Sequence, residues 1–304
     1  MEYVLQTRAL QKKYGKAAVL KDVTMNVPKG SIYGFVGKNG AGKTTLIRLI
    51  CGLQEPTGGD YSLFGIDHRS RDIIKSRRRI GAVIETPAVY MDLTAEENLR
   101  QQCMILGTPG FQDIPEILRI VGLESVGSKK VRNFSLGMRQ RLSIAIALIG
   151  YPDFIVLDEP INGLDPQGIV EIRELILKLN REQGITFLIS SHILDELSKL
   201  ATHYGFIHNG TVVKEIEPAE LTQSLRTSRS VTVSDTAKLA CALDAMGLDY
   251  QVHSHTEADI FGDFTLSALV HALDEADCLL ISARENDENL ESYYMNLVGG
   301  DDHE

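Results

Sequence analysis

Two short stretches combine the residue types that phosphate chemistry needs. Gly37-Lys38-Asn39-Gly40-Ala41-Gly42-Lys43-Thr44 fits the pattern G-x-x-x-x-G-K-[ST] in full. Glycines let a chain curl until its backbone N–H groups converge on phosphate oxygens, and a helix that follows turns its positive end toward the anion. In such a loop Lys43 meets the β- and γ-phosphates, and the Thr44 hydroxyl ligates Mg²⁺. The second stretch is Phe154-Ile155-Val156-Leu157-Asp158-Glu159, four apolar residues followed by two carboxylates. Parallel sheets collect ligands at the C-terminal ends of their strands, where these acids fall. Asp158 suits the shell of Mg²⁺, and Glu159 suits a general base toward an attacking water. A strand ending in acids says little alone. Beside the glycine loop it becomes specific, although kinases, GTPases, helicases and transport ATPases all remain open.

The elements that must position these residues alternate. Short β-rich runs are expected at 3–10, 19–27 and 31–36, the last containing the apolar Ile32-Tyr33-Gly34-Phe35-Val36. A helix is expected at 44–51, with Leu46, Ile47, Leu49 and Ile50 at helical spacing and Gly52 to end it. Then come a strand at 80–84 and a helix at 94–106, whose Thr94 and Glu97 have capping-box spacing. An apolar helix at 136–149 follows, then buried strands at 154–157 and 186–189 around a helix at 166–182. Strands alternating with helices imply an α/β domain with a parallel sheet.

The pattern changes near 225–229. Strands are expected at 230–233, 250–253, near 259–261 and at 278–281, with helices at 236–246, 266–276 and 289–297. That β-α-β-β-α-β-α order suggests a small α+β unit, ferredoxin-like in arrangement. The expected domains are residues 1–225 and 226–304. The tail 299–304 is polar and expected to be disordered.

Composition excludes some partners. The formal net charge is −10, which argues against nucleic acid as the main partner. The one basic run, Lys75-Ser76-Arg77-Arg78-Arg79, reads as a solvated face. Cys51, Cys103, Cys241 and Cys278 are scattered and lack zinc or disulfide spacing, so buried reduced thiols of a cytosolic protein are expected. No signal peptide is read at the start, and no apolar run approaches the ~20 residues of a membrane span.

The residues between the two phosphate-related stretches narrow the class. Asn133-Phe134-Ser135-Leu136-Gly137-Met138-Arg139-Gln140-Arg141 resembles the signature of ATP-binding cassette (ABC) proteins, usually Leu-Ser-Gly-Gly-Gln, in the form Phe-Ser-Leu-Gly-Met. Ile161-Asn162-Gly163-Leu164-Asp165-Pro166 resembles the D-loop, and Ile189-Ser190-Ser191-His192 the switch-histidine segment. The resemblance covers residues about 3–225. It implies a P-loop NTPase cassette: a parallel-sheet core, an antiparallel N-terminal β subdomain and a helical signature subdomain. It also implies ATP and Mg²⁺ as ligands, with catalytic Glu159 and His192. The nucleotide would meet Tyr14, Gly37, Lys38, Asn39, Gly40, Ala41, Gly42, Lys43, Thr44, Thr45, Ser135, Gly137, Met138 and Asp165. The metal would meet Thr44, Glu85 and Asp158. Tyr14 stands where the family places an aromatic on adenine, although alone it reads equally as a strand residue packing the core. In the family two copies face each other, each ATP lying between the glycine loop of one and the signature of the other.

One position departs from the family pattern. ABC proteins usually carry Gln after the strand placed here at 80–84, whereas this chain has Glu85, a negative charge near ATP. Glu85, Leu93-Thr94-Ala95-Glu96-Glu97-Asn98-Leu99 and the Phe-Ser-Leu-Gly-Met signature resemble the bacitracin-resistance and lantibiotic-immunity branch. The resemblance implies an ATPase subunit that is peripheral to the membrane on its cytoplasmic face. It would power a separate permease docked near 87–106 and export or clear peptide antibiotics. The competing readings are an exporter of unrelated cargo, a soluble ABC ATPase of DNA repair or translation, and a small-molecule kinase. The acidic charge and the lack of coiled coils or zinc modules count against the repair or translation class. The kinase reading leaves the signature, the D-loop and His192 unexplained.

Overall fold

A computed structural model of the chain describes residues 2–85, 88–108, 110–218, 220–221, 228–262, 264–286 and 290–299. The chain forms two compact units, Met1–Pro218 and Ala219–Glu304. The division falls ahead of the boundary expected at 225/226, because the last strand of the first unit ends at Ile216.

In the first unit, β1 (Tyr3–Tyr14), β2 (Ala17–Pro28), β4 (Gly58–Leu63) and β5 (Ile66–Asp67) make an antiparallel sheet in the order β2-β1-β4-β5. β1 and β2 run beyond 3–10 and 19–27, since their pairing continues to Tyr14↔Ala17 where burial has ceased. Six more strands form the second sheet: β3 (Ile32–Val36), β6 (Ile80–Val83), β7 (Phe154–Asp158), β8 (Thr186–Ser191), β9 (His203–His208) and β10 (Thr211–Ile216). Their order is β10-β9-β3-β8-β7-β6, parallel except for β10. Every residue of β3, β7 and β8 is buried, as expected of strands covered on both faces.

Helix α1 (Lys43–Ile50) starts one residue ahead of the expected 44–51. Leu46, Ile47, Leu49 and Ile50 are fully buried in one cluster with Leu5 and Met25 of the first sheet and Phe35 and Val156 of the second. Each such side chain contributes about 1.5–3 kcal/mol, so α1 is clamped in place by its apolar face. After the short α2 (Ile73–Arg77), helices α3 (Ala95–Leu106), α4 (Ile114–Ile120) and α5 (Leu136–Leu148) pack on one another as a helical layer. The capping box at the start of α3 is complete. Helix α6 (Pro166–Gln183) joins β7 to β8, and α7 (Leu194–Ser198) follows β8.

The basic run is not a solvated face throughout. Arg77 donates to the Tyr61 hydroxyl, and Arg79 lies over Phe64 and pairs with Asp153. The long aliphatic stems let these cations lie on apolar surface while their heads find acceptors. All four cysteines are free thiols, and Cys241 is exposed rather than buried.

The second unit contains β11 (Ser228–Val233), α8 (Thr236–Met246), β12 (Asp249–Val252), β13 (Glu257–Phe261), α9 (Leu266–Glu275), β14 (Leu280–Asn286) and α10 (Leu290–Gly299). Its sheet has the order β12-β13-β11-β14 and is antiparallel throughout, in keeping with the split β-α-β arrangement. Val231, Val233, Leu239, Leu243, Ile260, Leu269 and Leu273 form its core. The strand expected at 278–281 begins later and runs on to Asn286. Cys278 instead closes the end of α9, its N–H donating to Leu273 O at 2.9 Å, after Asp277 takes φ +50°. The polar half of β14 is held by pairing with β11, which hydrophobicity cannot signal. Asn289 and the tail beyond 299 lie outside the described residues.

Candidate functional site

The glycine loop leaves the end of β3 and opens α1. Gly40 and Gly42 take φ +83° and +112°, conformations that a side chain disfavours. A Cβ at Gly42 would stand 2.6 Å from Leu20 Cδ2, while at Gly40 nothing lies within 4 Å. The loop is thus pressed against β2 at one glycine and open at the other. Lys43 is buried, and its ammonium turns back into the loop. It donates to Gly37 O and to Lys38 O, the latter at 3.3 Å.

Adjacent parallel strands bring the remaining groups to this point. The register of β7 and β8 sets Asp158 opposite Ser190. Thr44 Oγ1 donates to Asp158 Oδ2 at 2.7 Å, and Ser190 Oγ donates to Asp158 Oδ1. The same Ser190 hydroxyl accepts the Glu159 N–H at 3.0 Å. Lys43 Nζ lies 3.2 Å from Glu159 Oε1, and His192 Nδ1 lies 2.8 Å from Glu159 Oε2. The five polar side chains form a Lys43–Glu159–His192 chain beside a Thr44–Asp158 pair. Glu159 takes φ +51°, a left-handed conformation costing about 1–3 kcal/mol outside glycine. The contacts to Lys43, Ser190 and His192 hold it there.

These residues fit a phosphate ester with a divalent cation. The loop is open at Gly40, and the buried Glu159 Oε1 has charge contact with Lys43 but no aligned hydrogen bond. Thr44 and Asp158 offer a hydroxyl and a carboxylate, the hard oxygens that Mg²⁺ prefers. Among the described residues no group of three or more His, Cys, Asp and Glu could hold a metal by itself. Mg²⁺ at Thr44 and Asp158 would therefore take its other oxygens from phosphate and water. At the end of α1, burial pushes the Cys51 thiol up to about 12, Arg77 opposing and Asp158 adding to the shift. That thiol is protonated near neutral pH and is no nucleophile.

The other expected residues fall in different places. Ser135 caps α5, its Oγ accepting Met138 N–H at 3.2 Å. Ser135, Gly137, Met138 and Asp165 line a separate cleft of about 460 Å³, and no residue of the glycine loop lines it. Asp165 uses Oδ1 to cap α6 through Gly168 N–H at 3.0 Å. Tyr14 is 44% exposed at the end of β1 and hydrogen-bonds Gln54, so it does not pack the core. Thr45 is half-buried in the first turn of α1. Glu85 takes φ +61°, and its carboxylate pairs with Arg48 rather than with Thr44 or Asp158. Pro87, where the docking segment was to begin, lies outside the described residues. Sequence reasoning assigned no role to Ser190 or Arg48. Ser190 was quoted within the switch segment, but only the strand register shows that it serves Asp158.

A family model described as ABC transporter matches residues 20–162. The bacitracin transport ATP-binding protein BcrA of Bacillus licheniformis is 40% identical over 99% of both chains. The chain belongs to the ABC transporter ATP-binding family. The lantibiotic transport ATP-binding protein SrtF of Streptococcus pyogenes is 44% identical over 70% of this chain and 91% of its own. The structure of cbiO1 of Clostridium perfringens, part of the ABC transporter complex cbiONQ, has a TM-score of 0.66 at 28% identity, covering 73% of this chain and 92% of its own. A dimeric ABC cassette bound to ADP and Pi has a TM-score of 0.63 at 28% identity, covering 70% and 98%. As a member of this ABC family the chain binds and hydrolyses ATP. ATP-binding subunits of ABC transporters work with membrane permeases, and among the described residues no helix is long and apolar enough to cross a membrane.

Proposed function

We propose that the chain is the engine of a peptide-antibiotic exporter: two copies bind Mg²⁺–ATP, close, and drive a separate permease. The observation that carries this reading is the Lys43–Glu159–His192 chain beside the Thr44–Asp158 pair. Near-complete coverage by bacitracin transport proteins supports the cargo class. On this reading the chain works at the cytoplasmic face of the membrane, with no nucleic acid as partner.

The site residues then have these roles. The loop N–H groups and Lys43 receive the β- and γ-phosphates. As phosphate enters, Lys43 exchanges Glu159 for the anion, which frees the carboxylate to polarise the attacking water. General-base catalysis of this kind contributes typically 10²–10⁴-fold. Mg²⁺, when bound, neutralises charge on the phosphates. Thr44 and Asp158 hold that position, and Ser190 keeps the Asp158 carboxylate oriented. His192 orients Glu159 and faces the γ-phosphate. Tyr14 supplies a ring for adenine, and Ser135, Gly137, Met138 and Asp165 receive the γ-phosphate of the second copy's ATP.

The permease surface is supported by exposed Met104 and Ile105 of α3, and by a cleft of about 310 Å³ whose lining includes Ile74, Ile80, Leu106, Ile146 and Ile149. Residues 226–304 are taken as an accessory domain. The test is co-expression with a candidate ABC permease from the same source. The expected result is a copurifying complex whose ATPase rate rises with bacitracin or a lantibiotic. Salt-sensitive DNA or ribosome binding without a permease would overturn the reading.

A further inference from the structure

We infer that Arg48 is a positioning residue for Glu85: it fixes the carboxylate and cancels its charge beside the nucleotide. The inference rests on the site proposed above. Thr44 and Arg48 are four residues apart on α1 and so share one face of the helix. The first turn of that face offers the Thr44 hydroxyl to Asp158, and the last turn offers Arg48 to Glu85. Where the family carries a neutral Gln, this chain therefore places an acid and supplies its counter-charge from the helix that bears the phosphate loop.

A backbone feature accompanies this pair. Glu85 is held at φ +61°, and a strained residue persists only where its neighbours fix it. Its carboxylate, 56% exposed, pairs with Arg48, itself 35% exposed, so the pair lies at the protein surface. Without Arg48 the Glu85 charge would stand uncompensated beside the last turn of the helix whose first turn carries Lys43 and Thr44. Repulsion would be greatest for ATP without Mg²⁺, whose charge is unscreened, and would fade as salt shortens the Debye length.

The test is nucleotide binding by the purified full chain, titrated with ATP in EDTA and with Mg²⁺–ATP at low and high salt. Arg48→Ala is expected to weaken metal-free ATP three- to tenfold and Mg²⁺–ATP less, with the difference shrinking at high salt. Arg48→Lys should stay within twofold of the parent. Arg48→Ala combined with Glu85→Gln should regain the parent affinity, because no charge remains to cancel. A loss that persists undiminished in the double variant would mean that Arg48 only braces α1, and would overturn the inference. Unchanged binding in Arg48→Ala would do the same. Lys43→Ala serves as the control: if it kept full affinity, the site itself would be misplaced. If it lost affinity while Arg48→Ala did not, only the positioning role would fail.

Discussion

The glycine-loop region and the Ser135 region of the first unit are built on opposite plans. Around the glycine loop the polar groups are buried or half-buried and contact one another: Lys43 is 6% exposed, Glu159 19%, and each meets named partners. Around Ser135 the chain offers an open cleft with a capped helix end, and the only acids and bases lining it are Arg141, Asp165 and Glu171. Arg141 and Glu171 lie 3.6 Å apart, and Asp165 is occupied as the cap of α6. On the proposed reading the first region holds the groups that do chemistry, and the second receives an anion. On that reading the receptor gains a purpose when a second copy brings its own loop and nucleotide to it, and a cassette that this chain resembles is dimeric and bound to ADP and Pi.

The largest effect should come from the first region. Glu159→Gln keeps the shape of the side chain and its place beside Lys43 and His192 but removes the base. Steady-state phosphate release is expected to fall by 10²–10⁴-fold, with ATP binding retained and an ATP-held dimer accumulating on size-exclusion chromatography. Hydrolysis at the parent rate would show that the base is elsewhere. The second region should respond differently. Ser135→Ala removes the cap of α5, costing roughly 1 kcal/mol of stability, and takes a hydroxyl from the cleft. ATP affinity of the isolated chain should be unchanged, while dimerisation in the Glu159→Gln background should weaken about tenfold. Equal loss of monomer ATP affinity would merge the two regions into one site.

How far each region could be read from sequence follows from the same contrast. The glycine loop was legible because close phosphate approach restricts its residue types, and β7 because full burial demands an apolar run ending at Asp158. The Thr94 capping box was legible for the same local reason. Ser190, Arg48 and Gln54 were not, since each acts through a partner 31 to 40 positions away that only the sheet register or the packing brings near. β9 and β10 went unassigned, and β14 was misplaced. β9 does carry a buried apolar centre in Tyr204, Phe206 and Ile207, but the polar residues of β10 and β14 are held by backbone pairing, which leaves no hydrophobic signature.

The smallest prediction tests whether a cap is merely a cap. Thr94 and Ser135 both accept an N–H of the helix they start, but only Ser135 lines the cleft. Thr94→Ala should cost about 1 kcal/mol, lowering the melting temperature by roughly 2–4 °C. Neither ATP affinity nor dimerisation should change. The same capping box carries a pH signature. The backbone N–H of Thr94, with help from Lys130, holds the Glu97 carboxyl below its ordinary 4.5. A carboxyl whose folded pKa is depressed stabilises the fold above its unfolded value, and that contribution is lost as pH falls through the folded pKa. Glu97→Gln should therefore lower the melting temperature at neutral pH, and the gap to the parent should close as pH drops below 4.5. A gap that held constant down to strong acid would assign the effect to side-chain shape rather than charge. A loss of dimerisation in Thr94→Ala would mean that capping alone accounts for Ser135, and the second region would lose its standing as a phosphate receptor.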